Sequence, residues 1–150
     1  MAASIKHHLF FPHPPVAVWE YLTNAELMDL WLMKSDFQPV LGHEFTFKSN
    51  PVPVFEWDGI IYCKVTEIVP FTNLSYTWNL GPGDGANNLE SVVKWELRPT
   101  DKGTELILEH GDFALLKHIS IFDAMNAGWL QNMNKILNRL NETSHGATNV

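Results

Sequence analysis

The chain has 150 residues, with 10 Lys plus Arg against 17 Asp plus Glu, a formal net charge of −7 and a single cysteine. The length suits one domain that buries about 68–70% of its extended surface, and the charge disfavours both a phosphate-neutralising grip on nucleic acid and an anionic membrane surface. Cys63 alone makes neither an intrachain disulfide nor a thiolate zinc site, so packing must supply stability, and six Trp with nine Phe point to a large core, an apolar pocket, or both.

The first residues lead straight into Ile5-Lys6-His7-His8-Leu9-Phe10-Phe11, too short and interrupted for a signal peptide. No stretch approaches the ~20 apolar residues of a membrane helix, and a cytoplasmic protein is expected. A strand over roughly Ile5 to Phe11 ends at His13-Pro14-Pro15, and proline suits the first turn of a helix because its missing N–H has no helical partner there. Val16 to Leu22 then reads as a short helix burying Val18, Trp19 and Leu22. Thr23 and Glu26 have capping-box spacing for a second helix from about Ala25 to Leu32, with Leu27, Leu30 and Trp31 apolar. Two short helices without a basic face make a poor DNA reader.

From Phe37 to His110 the period changes to two. Phe45 and Phe47 alternate with polar neighbours. Phe55, Trp57, Ile61, Cys63 and Val65 share one parity, and so do Leu74, Tyr76, Trp78 and Leu80. Val93, Trp95 and Leu97 follow, then Leu106, Leu108 and His110. Such strands belong to an antiparallel sheet covered on one side, and Asn50-Pro51, Val69-Pro70, the Gly81 to Gly85 run and Asp101-Lys102-Gly103 mark the turns.

The last element is a long amphipathic helix started by Ser120 and Asp123 at capping-box spacing. Its apolar face carries Phe122, Met125, Trp129, Met133, Ile136, Leu137 and Leu140. Gly128 interrupts it at a cost of about 1 kcal/mol, which close approach of the helix to the sheet would offset. Asn141 to Val150 is polar and aperiodic, and a frayed tail is expected there. Strands and helices are segregated, so the class is α+β with helices on one face of an antiparallel sheet of about six or seven strands.

The run Pro15-Val16-Ala17-Val18-Trp19-Glu20-Tyr21-Leu22 followed by Leu30-Trp31, the strands Val65 to Pro70 and Leu74 to Trp78, the strand Gly103 to His110 and the pair Gly128-Trp129 together resemble the START-like (SRPBCC) superfamily. The likeness is to the group named after the C-terminal domain of the Hsp90 ATPase activator, and it covers about residues 5–141 of one domain spanning 1–150. The resemblance implies a helix-grip fold, a curved antiparallel sheet wrapped around the long C-terminal helix, with two short helices after the first strand. It also implies a deep apolar cavity between sheet and helix. Across the superfamily such cavities hold lipids, sterols, polyketides or plant hormones, and a minority of members are enzymes. The co-chaperones of the group carry an N-terminal domain with an Asn/Trp-rich motif that has no counterpart in this sequence, which argues against Hsp90 activation.

The inward set is where a ligand would sit. Trp57, Trp78, Trp95 and Trp129 fall on apolar faces, where each either fills core or lines a cavity. His110 continues the inward parity and either orients a ligand carbonyl, moves a proton, or is a hydrogen-bonded structural residue at a strand end. Tyr76 is a second donor candidate with the same alternative, and Glu67, near a strand end, reads as structural or solvated. Phe113 and Met125 complete the candidate ligand-binding residues. Gly81, Gly83 and Gly85 lack phosphate-loop spacing, and His7 and His8 point to opposite faces of a strand and so do not chelate one metal. Cys63 reads as an inert buried thiol. No catalytic residue, metal or cofactor is assigned.

Three functions follow as expectations. The first is non-catalytic binding of a small hydrophobic or amphipathic molecule. The second is a cyclase or isomerase using His110, with Tyr76 or Glu67, in proton transfer. The third is a chaperone-interaction module, and homodimerisation stays open for want of an interface signal.

Overall fold

The computed structural model describes residues 4–116 and 119–148. Strand β1 (Ile5–Phe11) leads into helix α1 (Pro15–Thr23), with Pro15 at the first helical position. Helix α2 (Ala25–Trp31) is capped by Asn24, not by Thr23 as the capping-box spacing suggests. Asn24 has an extended backbone, and its Oδ1 accepts from the N–H groups of Glu26 at 2.9 Å and Leu27 at 3.2 Å. Thr23 is still helical, so its hydroxyl turns back to the Trp19 carbonyl at 2.8 Å. The buried stripe of α2 runs through Met28 and Trp31, while Leu30 faces outward.

Six further strands follow: β2 (Lys34–Ser35), β3 (Glu44–Lys48), β4 (Ile60–Val69), β5 (Asn73–Leu80), β6 (Leu89–Thr100) and β7 (Gly103–Leu116). Among the described residues they form with β1 one curved antiparallel sheet in the order β1-β7-β6-β5-β4-β3-β2. Side chains of a strand point alternately to the two faces, and the parity sets read from the sequence fall together on one of them. Phe45, Phe47, Ile61, Cys63, Val65, Tyr76, Trp78, Trp95, Leu106, Leu108 and His110 are all buried there. Helix α3 (Ile119–Thr148) lays Ile121, Trp129, Met133, Ile136 and Leu140 against this core. The architecture is the expected α+β helix grip.

Several local expectations are corrected. Phe55 and Trp57 do not belong to β4, because Pro53–Phe55 forms a 3-10 turn and Glu56 adopts φ 52°. Gly59, at φ 89°, then brings the chain so close to Ser49 that a Cβ would sit 2.7 Å from its carbonyl oxygen. The shared parity of Phe55 and Trp57 with Ile61 is therefore coincidental. In β4, Val65 pairs with Tyr76 but Glu67 with Ser75, so a bulge turns both Thr66 and Glu67 outward. Glu67 is exposed and accepts a hydrogen bond from the Ser75 hydroxyl.

Helix α3 begins at Ile119, which places Ser120 inside its first turn rather than at the cap, and the capping position lies outside the described residues. The helix backbone runs on through Thr148, so the stretch from Asn141 does not leave it where fraying was expected, and residues 149–150 lie outside the described residues. Asn141 Oδ1 bonds His13 Nε2 at 2.7 Å and ties this helix to the start of α1. A methyl group at Gly128 would meet nothing within 4 Å, so the expected close approach is not found, and nothing in the structure explains this glycine. His7 and His8 do point apart: His7 Nε2 reaches the Asn126 carbonyl on α3, and His8 Nε2 reaches Glu105. No helix among the described residues is long and apolar enough to cross a membrane.

Candidate functional site

Between the concave side of the sheet and the first turns of α3 lies a pocket of about 190 Å³. Its floor is buried and comes from three elements: Ile61 of β4, Trp78 and Leu80 of β5, and Ile121 of α3. Strand alternation puts Trp78 and Leu80 two residues apart on the same face. Spacings of three and four along α3 bring Ala124 and Met125 over the same spot as Ile121. The half-buried rim is formed by Met33, Phe55, Trp57 and Met125, with Ala124 exposed at the mouth.

The rim segment before β4 is held by its backbone. Asn88 donates from Nδ2 to the carbonyls of Phe55 at 2.6 Å and Glu56 at 2.9 Å. Trp57 donates its indole N–H to the Ile60 carbonyl at 2.8 Å, and a bridge joins it to Val52. No lining side chain is ionisable.

Next to the floor, a chain of hydrogen bonds crosses the core. Trp129 donates its indole N–H to His110 Nδ1 at 3.0 Å, and His110 Nε2 meets the Ser91 hydroxyl at 2.7 Å. Ser91 in turn donates to the Trp78 carbonyl at 2.8 Å. Nδ1 accepts, so the proton of a neutral imidazole sits on Nε2 and is donated to Ser91. The ring is fully buried, and burial lowers its pKa to about 3. Ser91 and His110 flank a bulge, where Glu90 pairs with Leu115 but Val92 pairs with Gly111, and Asp112 takes φ 54°. Nearby, the Trp95 indole donates to the Tyr76 hydroxyl at 3.0 Å, and burial pushes the Tyr76 pKa up. Burial also raises the Cys63 thiol, with the charge of Asp36 adding to it.

Of the eight candidate ligand-binding residues, Trp57, Trp78 and Met125 line the pocket. Tyr76, Trp95, His110 and Trp129 lie behind the floor as a packed aromatic layer, with Trp129 5.0 Å from Trp78 and 5.5 Å from Trp95, centroid to centroid. Phe113 bridges His110 and Phe122 at 5.2 and 5.7 Å. Met33, Phe55, Ile61, Leu80, Ile121 and Ala124 line the pocket without having been singled out. Parity carried a signal for Ile61 and Leu80, and Ile121 and Ala124 precede Met125 by one helical turn or less. Met33 and Ser91 carried none.

The model of the family described as Activator of Hsp90 ATPase homolog 1-like protein matches residues 12–142. Among solved structures, protein MLL2253 from Mesorhizobium loti is 35% identical, with a TM-score of 0.81 over 94% of this chain and 98% of that one. Protein BH1534 from Bacillus halodurans is similar at 24% identity and a TM-score of 0.70, covering 91% of this chain and 95% of its own. CalU16 from Micromonospora echinospora shares the fold at 18% identity and a TM-score of 0.70, over 90% of this chain and 74% of that one. No curated protein matches the chain.

Proposed function

The chain belongs to the Activator of Hsp90 ATPase homolog 1-like family of the START-like superfamily, and on that premise we propose that it binds a small hydrophobic or amphipathic molecule in the pocket between β4, β5 and α3. One observation carries this reading: a pocket of about 190 Å³ opens between the sheet and α3, and every residue lining it is hydrophobic. Packed interiors leave few voids larger than a water, and an apolar void of roughly 150 Å³ stays dry and takes up benzene. Trp57, Trp78 and Met125 form the contact surface in this reading. Tyr76, Trp95, His110, Phe113 and Trp129 hold that surface in shape.

Both ring nitrogens of His110 are engaged inside the core, and no lining group ionises, which favours binding over acid–base chemistry. The family description also names Hsp90. A chaperone would meet the outside of the molecule and would leave the pocket unexplained. We read the chain as one domain acting in the cytoplasm, where the free, buried Cys63 suits a reducing compartment.

Native mass spectrometry of the protein, purified gently from its host, tests the reading. An organic adduct released on activation of the ion is the expected result. A bare protein that also fails to take up any benzene-sized apolar probe would overturn it.

A further inference from the structure

Side chains alternate along a strand, so β4 and β5, which turn Ile61, Trp78 and Leu80 into the apolar pocket, turn Tyr62, Thr77 and Asn79 to the outer, water-facing side. There a groove of about 430 Å³ runs over β3, β4 and β5, with Asp36, Glu44, Thr46 and Lys64 also in its lining. It lies where the β4–β5 ladder is interrupted. Pairing passes from Tyr62–Asn79 to Val65–Tyr76, and between them the Lys64 N–H goes to the Thr77 hydroxyl at 2.9 Å. A hollow of about 230 Å³ shares Tyr62 and Asn79 with the groove, and one of about 220 Å³ beside Lys34 and Lys48 shares Asp36 and Thr46. Together they make a trough across the outer face from the β2 edge to the Gly83–Gly85 turn, and it shares no lining residue with the apolar pocket.

Tyr62 is 42% exposed, and its hydroxyl donates to Asp58 Oδ2 at 3.1 Å while Asp58 Oδ1 receives the Ile60 N–H at 2.9 Å. An aromatic ring is thus open to solvent and tethered at its far end. Glu44 and Lys64 stand directly opposite each other on β3 and β4, an arrangement that favours pairing. Yet neither of them, nor Asp36, Lys34 or Lys48, enters an ion pair among the described residues. We propose that the trough is a second binding site, independent of the pocket reading, and that its ligand is a neutral, hydroxyl-rich molecule of the saccharide class lying against Tyr62. A sugar hydroxyl both donates and accepts, and the trough offers both kinds of partner. The Asp36 and Glu44 carboxylates accept, the three ammonium groups donate, and Asn79 keeps its Nδ2 free because only its Oδ1 is engaged, by the Ser91 N–H. The C–H face of a sugar ring suits the apolar body of a tyrosine. An anion would meet the two carboxylates and a cation the three lysines, while an apolar molecule would strip water from all five charges without pairing them.

Cellotriose and maltotriose serve as neutral probes, with glucose 6-phosphate and spermidine as anionic and cationic controls. Binding to the full chain is read by saturation-transfer NMR, and its place by backbone amide shifts in ¹⁵N-labelled protein. At least one trisaccharide should bind in the millimolar range, about tenfold tighter than either control, and should move amides of β3, β4 and β5 around Thr46, Tyr62 and Asn79. Tyr62→Ala, which removes an exposed ring, should weaken that binding at least about fivefold. Absence of saturation with both trisaccharides, or shifts confined to other faces, would overturn the proposal. Binding of either control as tight as the sugars would overturn the neutral class, and undiminished binding by Tyr62→Ala would overturn the role of the tyrosine. The amide shifts are read on the unaltered chain, so the test stands even if Tyr62→Ala does not fold.

Discussion

Trp129 donates its indole N–H to Nδ1 of His110 across 3.0 Å, and that one bond decides which imidazole nitrogen carries the proton. The remaining proton on Nε2 goes to Ser91, and the Ser91 hydroxyl goes to the Trp78 carbonyl, so both imidazole nitrogens and the serine hydroxyl have partners. The network joins α3 to β7, β6 and β5 directly behind the pocket floor. A satisfied buried network of this kind rigidifies what it touches. Here it holds Trp78.

The first prediction concerns pH. Burial holds His110 at about 3 in the folded chain, against an ordinary value near 6.5 when unfolded. Below about pH 6.5 the unfolded state binds a proton that the folded state refuses. The stability from this histidine is therefore complete above that pH and declines as pH falls toward 3, by up to about 1.4 kcal/mol per unit. Urea unfolding between pH 7.5 and 5 should show this slope, and His110→Gln should flatten it. Equal slopes in the two proteins would mean that the imidazole ionises freely in the folded chain.

Ser91→Ala removes the acceptor of the His110 proton without opening a large cavity. The orphaned N–H should cost about 1–3 kcal/mol of folding stability, read from the shift in urea midpoint at unchanged slope. A loss below about 0.5 kcal/mol would show that water or another group replaces the serine.

Gly128→Ala should stabilise the protein by about 0.5–1 kcal/mol. The position is helical, a methyl group there meets nothing within 4 Å, and alanine loses less backbone entropy than glycine. Thermal melting gives the sign directly, and a lower midpoint would place an unseen contact at that helix face.

Ala124 stands exposed at the pocket mouth, so Ala124→Trp should obstruct entry at little cost to the fold. Uptake of α-methylstyrene should weaken at least about tenfold while stability stays within about 0.5 kcal/mol. Unchanged uptake, measured by calorimetry, would put the entrance elsewhere.

Asn88→Ala releases the carbonyls of Phe55 and Glu56 and should loosen the rim. Amide exchange over residues 52–57 should accelerate well beyond that of β5 and β6, with a global loss of about 1–2 kcal/mol. Uniform acceleration across the sheet would assign Asn88 to the core instead.

The inward residues of β5, β6 and β7 were legible because a strand has a period of two, and Trp78, Trp95 and His110 stand where that period puts them. Parity names a face but not a height along it. It therefore placed Trp78 and Tyr76 alike, although only Trp78 reaches the pocket. Trp57 reached the rim for a reason the period does not contain: a 3-10 turn and a left-handed Glu56 swing it there. Ser91, His110 and Trp129 are each 19 residues apart, and the bulge that brings the first two together follows from a register shift that no local pattern announces.

Composition and order by themselves determined the exclusions drawn from a charge of −7, the segregated α+β layout and the single apolar face, because these depend on charge and on local periodicity. Only the tertiary structure decided that core and pocket share a wall at Trp78, that His110 is locked into the core as a neutral ring, and that the indole N–H of Trp78 is buried without a partner. Those outcomes depend on volumes, register and donor–acceptor pairing summed over elements distant in the chain, and close packing settles them all at once.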